Sequence, residues 1–141
     1  MSAVEYSDCR RWYNVWVSEN AKGRVLDVGK SKFWYYGFPT IDINPKMKPT
    51  YVGDIEKAPF RDKTFDTVLC NGMYEVVNDP QKMIDEILRI TIDMAIFGFV
   101  GKDYKPYRKD WKYYRGDETI PYVFYQKNFG DEYYFILCSK R

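Results

Sequence analysis

Between residues 24 and 72, four short apolar runs each stop on an acid, an amide or a glycine. They are Arg24-Val25-Leu26-Asp27-Val28-Gly29, Thr40-Ile41-Asp42-Ile43-Asn44-Pro45, Tyr51-Val52-Gly53-Asp54-Ile55 and Phe65-Asp66-Thr67-Val68-Leu69-Cys70-Asn71-Gly72. Runs of this length and β-branched content, without alternation, read as strands buried on both faces, the habit of a parallel sheet. Gly29 ends the first at a turn that only glycine makes cheaply, and Pro45 forbids further pairing of the second. Such a chain lines up polar groups along the carboxyl edge of one sheet, the edge where open α/β folds bind their ligands.

Val25-Leu26-Asp27-Val28-Gly29, Ile41-Asp42-Ile43-Asn44-Pro45, Gly53-Asp54-Ile55-Glu56-Lys57-Ala58-Pro59-Phe60 and Phe65-Asp66-Thr67-Val68-Leu69-Cys70, in this order and spacing, resemble the class I S-adenosylmethionine-dependent methyltransferases, in particular small members with a short first crossover. The resemblance covers roughly residues 20 to 100. It implies a single Rossmann-like domain: a mostly parallel seven-stranded sheet, helices on both faces, and an antiparallel hairpin at the C-terminal end. The implied cofactor is S-adenosyl-L-methionine, held by Asp27, Val28, Gly29 and Lys30 at the first turn, by Asp42 and Ile43, by Asp54 and Ile55, and by Asn71, Gly72 and Met73. In this scheme Asp42 accepts from both ribose hydroxyls, Ile43 lies on the adenine face and Asp54 meets the adenine amino group. Both aspartates also read as strand-end residues that open an Asx turn. The family's glycine loop is incomplete, because Lys30, Ser31, Lys32 and Phe33 follow Gly29 where further glycines would stand.

At 141 residues the chain is expected to be one domain with one core. It divides into an N-terminal helix (1–22), a cofactor-binding core (23–100), a basic aromatic loop (101–118) and a closing hairpin (119–141). A formal charge of +2 is too mild to call for a polyanionic partner by itself. Three scattered cysteines without CxxC spacing suggest neither disulfides nor a zinc site, and no metal is expected. With no apolar run of about 20 residues and no basic-then-apolar start, a soluble, cytoplasmic protein is expected. The lack of histidine disfavours serine-histidine hydrolases and most zinc enzymes. Methyl transfer tolerates that lack, since a sulfonium is already an activated donor and placement of the nucleophile carries much of the barrier reduction.

Cys9, Trp12, Tyr13, Trp16 and Val17 recur at helical spacing in Glu5 to Asn20 and predict an amphipathic helix, either beside the sheet or as a lid. Lys30 to Pro39, with Phe33, Trp34, Tyr35, Tyr36 and Phe38, is too short for a full crossover helix and reads as a plug or a wall of the site. Asp79 and Pro80 cap and open a helix with an apolar stripe through Met83, Ile84, Ile87 and Leu88, followed by a strand over 92–100. Lys102, Lys105, Arg108, Lys109, Lys112 and Arg115 interleave with Tyr104, Tyr107, Trp111, Tyr113 and Tyr114, a pairing suited to single-stranded nucleic acid, to a substrate lid or to a solvated face. Tyr36, Tyr74, Tyr104, Tyr107 and Trp111 are the aromatic candidates for substrate contact. Thr119–Phe129 and Glu132–Ser139 predict two strands about a turn at 128–131.

Two functions follow. The first is a minimal methyltransferase acting on an unidentified acceptor by in-line displacement, with no general base assigned. The second is a methyltransferase-like scaffold without activity that binds nucleic acid or protein, motivated by the incomplete loop and by Lys30 and Lys32 beside a cationic ligand. A nicotinamide-binding domain shares the glycine turn and ribose acid but fits the closing hairpin less well.

Overall fold

The computed structural model describes residues 14–15, 17–29, 37–71, 73, 77–100, 122–129 and 133–140, with backbone alone for Asn71, 98–100, 122–129 and 133–140. The strands are β1 (Val25–Val28), β2 (Thr40–Asp42), β3 (Tyr51–Val52), β4 (Phe65–Asn71), β5 (Thr91–Val100), β6 (Tyr122–Phe129) and β7 (Tyr133–Lys140). The helix α1 (Pro80–Ile90) joins β4 to β5. They form one sheet in the order β3-β2-β1-β4-β5-β7-β6. The first five strands pair in parallel and β7 is antiparallel to both β5 and β6.

All four residues of β1 are buried, so both faces of the sheet are covered there. Leu26, Val28, Ile41, Val68, Cys70, Ala95 and Phe97 join the apolar stripe of α1, Met83, Ile84, Ile87, Leu88 and Ile90, in one core. That stripe is what the period of the helix dictates. Asp79 caps α1 by accepting from the Lys82 N–H at 3.2 Å, and Pro80 follows where its missing N–H costs nothing. The opposite face carries Val25, Asp27, Thr67, Leu69 and Ile96, none more than 4% exposed. Thr67 Oγ1 donates to the Lys22 carbonyl at 2.9 Å and accepts the Lys22 N–H at 3.2 Å, which brings the segment after helical residues 17–20 onto that face.

Some expectations shift. The third strand ends at Val52, because Asp54 accepts the Glu56 N–H at 2.9 Å and turns Ile55–Lys57 into a 3₁₀ helix. The last strands run over Tyr122–Phe129 and Tyr133–Lys140, so Asn128 and Phe129 pair with Tyr134 and Tyr133 and do not belong to a turn. Among the described residues no helix is long and apolar enough to cross a membrane. Cys9 to Tyr13, Trp16, Lys30 to Tyr36, Gly72, Tyr74 and the segment 101–121 lie outside the described residues.

Arg89, near the end of α1, holds the loop after the 3₁₀ turn. Its guanidinium donates to Glu86 at 2.5 Å, to the carbonyls of Phe60 and Ala58 at 2.8 and 3.0 Å, and to Asp62 at 2.9 Å. Glu86 in turn accepts the Ala58 N–H at 3.1 Å. Replacing Arg89 by alanine takes this donor from two carbonyls and two carboxylates. Partly screened by water, the loss is expected to cost about 1–3 kcal/mol in urea unfolding.

Candidate cofactor site

Register decides which residues meet. Cys70 lies level with Val28, Val28 with Ile41 and Ile41 with Tyr51, so the next residue of each strand forms a second row one step nearer the carboxyl edge. Asp42 falls in that row, level with Val52. The Gly29 N–H donates to the Ile41 carbonyl at 2.8 Å and the Gly53 N–H to the Asp42 carbonyl at 3.0 Å, which carries the pairing one residue past β1 and β3. Beyond this row the chain leaves the sheet at four neighbouring points.

A cavity of about 360 Å³ opens there, lined by Val28, Ile41, Asp42, Ile43, Gly53, Asp54, Ile55, Glu56, Met73, Val77 and Asn78. Its volume is in the range of small-molecule pockets. Ile43 is 70% exposed and presents a bare apolar surface to the cavity. Asp42 Oδ1 accepts the Asn44 N–H at 2.8 Å, and Asp54 Oδ1 accepts the Glu56 N–H at 2.9 Å. The Asx turns are therefore real, yet the turn at Asp54 occupies one carboxylate oxygen, and among the described residues nothing donates to Asp54 Oδ2. A residue that closes its own turn with one oxygen can offer the other to a ligand.

Six of the residues expected at a cofactor, Val28, Asp42, Ile43, Asp54, Ile55 and Met73, line this cavity together. Asp27 does not. Alternation along β1 sends Leu26 and Val28 into the core under α1 and turns Asp27 to the other face, where it is 4% exposed. No hydrogen-bond partner for its carboxyl occurs among the described residues, and burial pushes its pKa up to about 8. Gly29 is not a lining residue either. Its φ of +79° lies in the left-handed region, and a Cβ there would come within 2.6 Å of Met73 Sδ, so the glycine lets Met73 lie across the end of β1. Asn71 is described only by its backbone, at the end of β4. Lys30, Tyr36, Gly72, Tyr74, Tyr104, Tyr107 and Trp111 lie outside the described residues.

Glu56, Val77 and Asn78 were not singled out by the sequence. Glu56 reaches across 22 and 23 residues to the N–H groups of Asn78 and Asp79, a relation no local pattern reveals.

The family model for a methyltransferase domain matches residues 31–98. That match agrees with the resemblance to the class I S-adenosylmethionine-dependent methyltransferases. No curated protein matches the sequence significantly. Among solved structures, the YcgJ protein of Bacillus subtilis is 11% identical and aligns over 96% of this chain and 99% of its own, with a TM-score of 0.70. An S-adenosylmethionine-dependent methyltransferase of Aquifex aeolicus is 13% identical over 98% of this chain and 100% of its own, at 0.61. The magnesium protoporphyrin IX methyltransferase of Synechocystis, solved with bound S-adenosylmethionine, is 15% identical over 94% of this chain and 78% of its own, at 0.62. At such identities the likeness speaks for a shared methyltransferase fold, and S-adenosylmethionine is the cofactor of that family.

Proposed function

We propose that this protein is an S-adenosylmethionine-dependent methyltransferase whose cavity at the carboxyl edge of β1, β2 and β3 receives the adenosine half of the cofactor. The observation that carries the reading is the make-up of that cavity. Its described lining holds three carboxylates, Asp42, Asp54 and Glu56, among apolar side chains, and no cationic side chain. Carboxylates are acceptors only. They suit a ligand rich in hydroxyl and amino donors and free of negative charge, which a ribosyl purine on a sulfonium is. A pyrophosphate would meet repulsion of about 1 kcal/mol per carboxylate even at the dielectric of water and 4 Å separation, which counts against nicotinamide dinucleotides.

Asp42 would accept from the ribose hydroxyls, Asp54 Oδ2 from the adenine amino group, and Ile43 with Ile55 would cover the purine faces. Covering Ile43 would contribute about 1–2 kcal/mol. The bound cofactor supplies an activated methyl group for in-line displacement by the acceptor. For acceptor contact we propose the basic and aromatic residues of 102–115, single-stranded nucleic acid being the partner their composition suits.

Calorimetric titration with S-adenosylhomocysteine tests the reading without requiring an acceptor. The expected result is saturable binding in the micromolar range, with no heat from a nicotinamide dinucleotide at the same concentration. Silence with S-adenosylhomocysteine at millimolar concentration would instead support the inactive scaffold.

A further inference from the structure

The cavity has two walls from distant parts of the chain. One is the turn Asp54-Ile55-Glu56; the other is Val77-Asn78, just before α1. What joins them is the side chain of Glu56. It is 9% exposed, and it accepts the Asp79 N–H on Oε1 at 2.6 Å and the Asn78 N–H on Oε2 at 3.4 Å.

A buried carboxylate is costly unless its oxygens are satisfied, so its presence here asks for a reason. The N–H groups it accepts stand at the entrance to α1, where the aligned peptide dipoles favour negative charge. Asp79 already caps the helix from within, which leaves Glu56 to take the N–H groups one step outside it. Its own N–H is meanwhile bound by Asp54 Oδ1, so a single residue fixes the direction of the Asp54 carboxylate and grips the opposite wall. Arg89 and Glu86 tie the same loop to α1 further on, at Ala58 and Phe60, away from the cavity lining. Because of them, loss of Glu56 would free the mouth of the cavity without releasing the whole loop.

We infer that Glu56 is a positioning residue for the cofactor: its carboxylate braces the two walls at the separation that accepts a purine nucleoside and aims Asp54 into the gap. This rests on the cavity being the adenosine site. The need is for two acceptor oxygens pointing at two N–H groups, a geometry that glutamine meets with one oxygen only, its amide facing the second N–H as a donor.

The test compares Glu56→Gln and Glu56→Ala with Ile87→Val, a core substitution in α1 that lowers stability without touching the brace. S-adenosylhomocysteine binding is measured by calorimetry at a temperature where circular dichroism shows all four proteins folded, and amide NMR shifts report the Asp79 N–H. A weakening of about 10-fold for Glu56→Gln and about 100-fold for Glu56→Ala is expected, with Ile87→Val within twofold of wild type and the Asp79 amide moving upfield only in the Glu56 variants. If Glu56→Ala does not stay folded, Glu56→Gln alone decides. Variants that bind within twofold of wild type, or that weaken no more than Ile87→Val, overturn the brace while leaving the cofactor reading in place. A wild-type protein that does not bind S-adenosylhomocysteine overturns both.

Discussion

Wild-type protein is expected to lose stability steadily from about pH 4 to about pH 8, while Asp27→Asn stays nearly flat over the same range and is the more stable of the two at pH 8. Asp27 sits in the middle of β1, 4% exposed, with its pKa raised from 3.8 to about 8 by burial. Between those two values the folded protein keeps a proton on Asp27 that the unfolded chain has released. Stability therefore falls as pH rises, by up to about 1.4 kcal/mol per pH unit, and levels off above about pH 8 where both states are ionised. Below about pH 4 both states are protonated and the burden disappears. Asparagine has nearly the same shape and does not titrate, so it removes the slope and little else. Urea unfolding at one-unit intervals from pH 4 to 9 reads the effect, and parallel curves for the two proteins would refute it.

Asp42→Ala is expected to weaken S-adenosylhomocysteine binding by about 100-fold or more. Hydrogen bonds from two ribose hydroxyls to an ionised carboxylate contribute about 1.5–3 kcal/mol each, and alanine removes both. Asp42→Asn keeps one acceptor and can still close the turn onto the Asn44 N–H, so it is expected to fall between, near 10-fold. The folded state itself should lose less than about 1 kcal/mol in either variant, because the Asn44 N–H is exposed and water can replace its partner. The ordering wild type, Asn, Ala in affinity at nearly constant unfolding midpoint separates a ligand contact from a structural one. An alanine variant that binds like wild type would remove Asp42 from the site.

The parts of this molecule that were legible in the sequence are those whose physics is local. The continuous apolar runs of β1 and β4 required burial on both faces, and the Asp79-Pro80 start with its stripe of Met83, Ile84, Ile87 and Leu88 required a helix against one of them. The strand-end aspartates were readable too, because acids closing successive parallel strands must gather at one edge. Asp27 does not line the cavity for an equally local reason: it stands one residue before Val28, which does, and in a strand one residue is a change of face. The third strand was read too long because Asp54 looked like its end, when its carboxylate had already begun the next turn. Glu56 drew no reading of its own, since nothing near it in sequence shows that its partners are the N–H groups of Asn78 and Asp79. Contacts of that span are written only in the tertiary structure.

The strands that carry the cavity differ greatly in length. β4 runs for seven residues between β1 and β5, whereas β2 has three residues and β3, at the margin of the sheet, has two. Few backbone bonds hold that margin, so it can peel back at little free-energy cost while the centre stays closed. On the proposed reading, a nucleoside seated against Asp42 and Asp54 would add its own contacts to that thin margin, while Ile41 keeps β2 tied to the core.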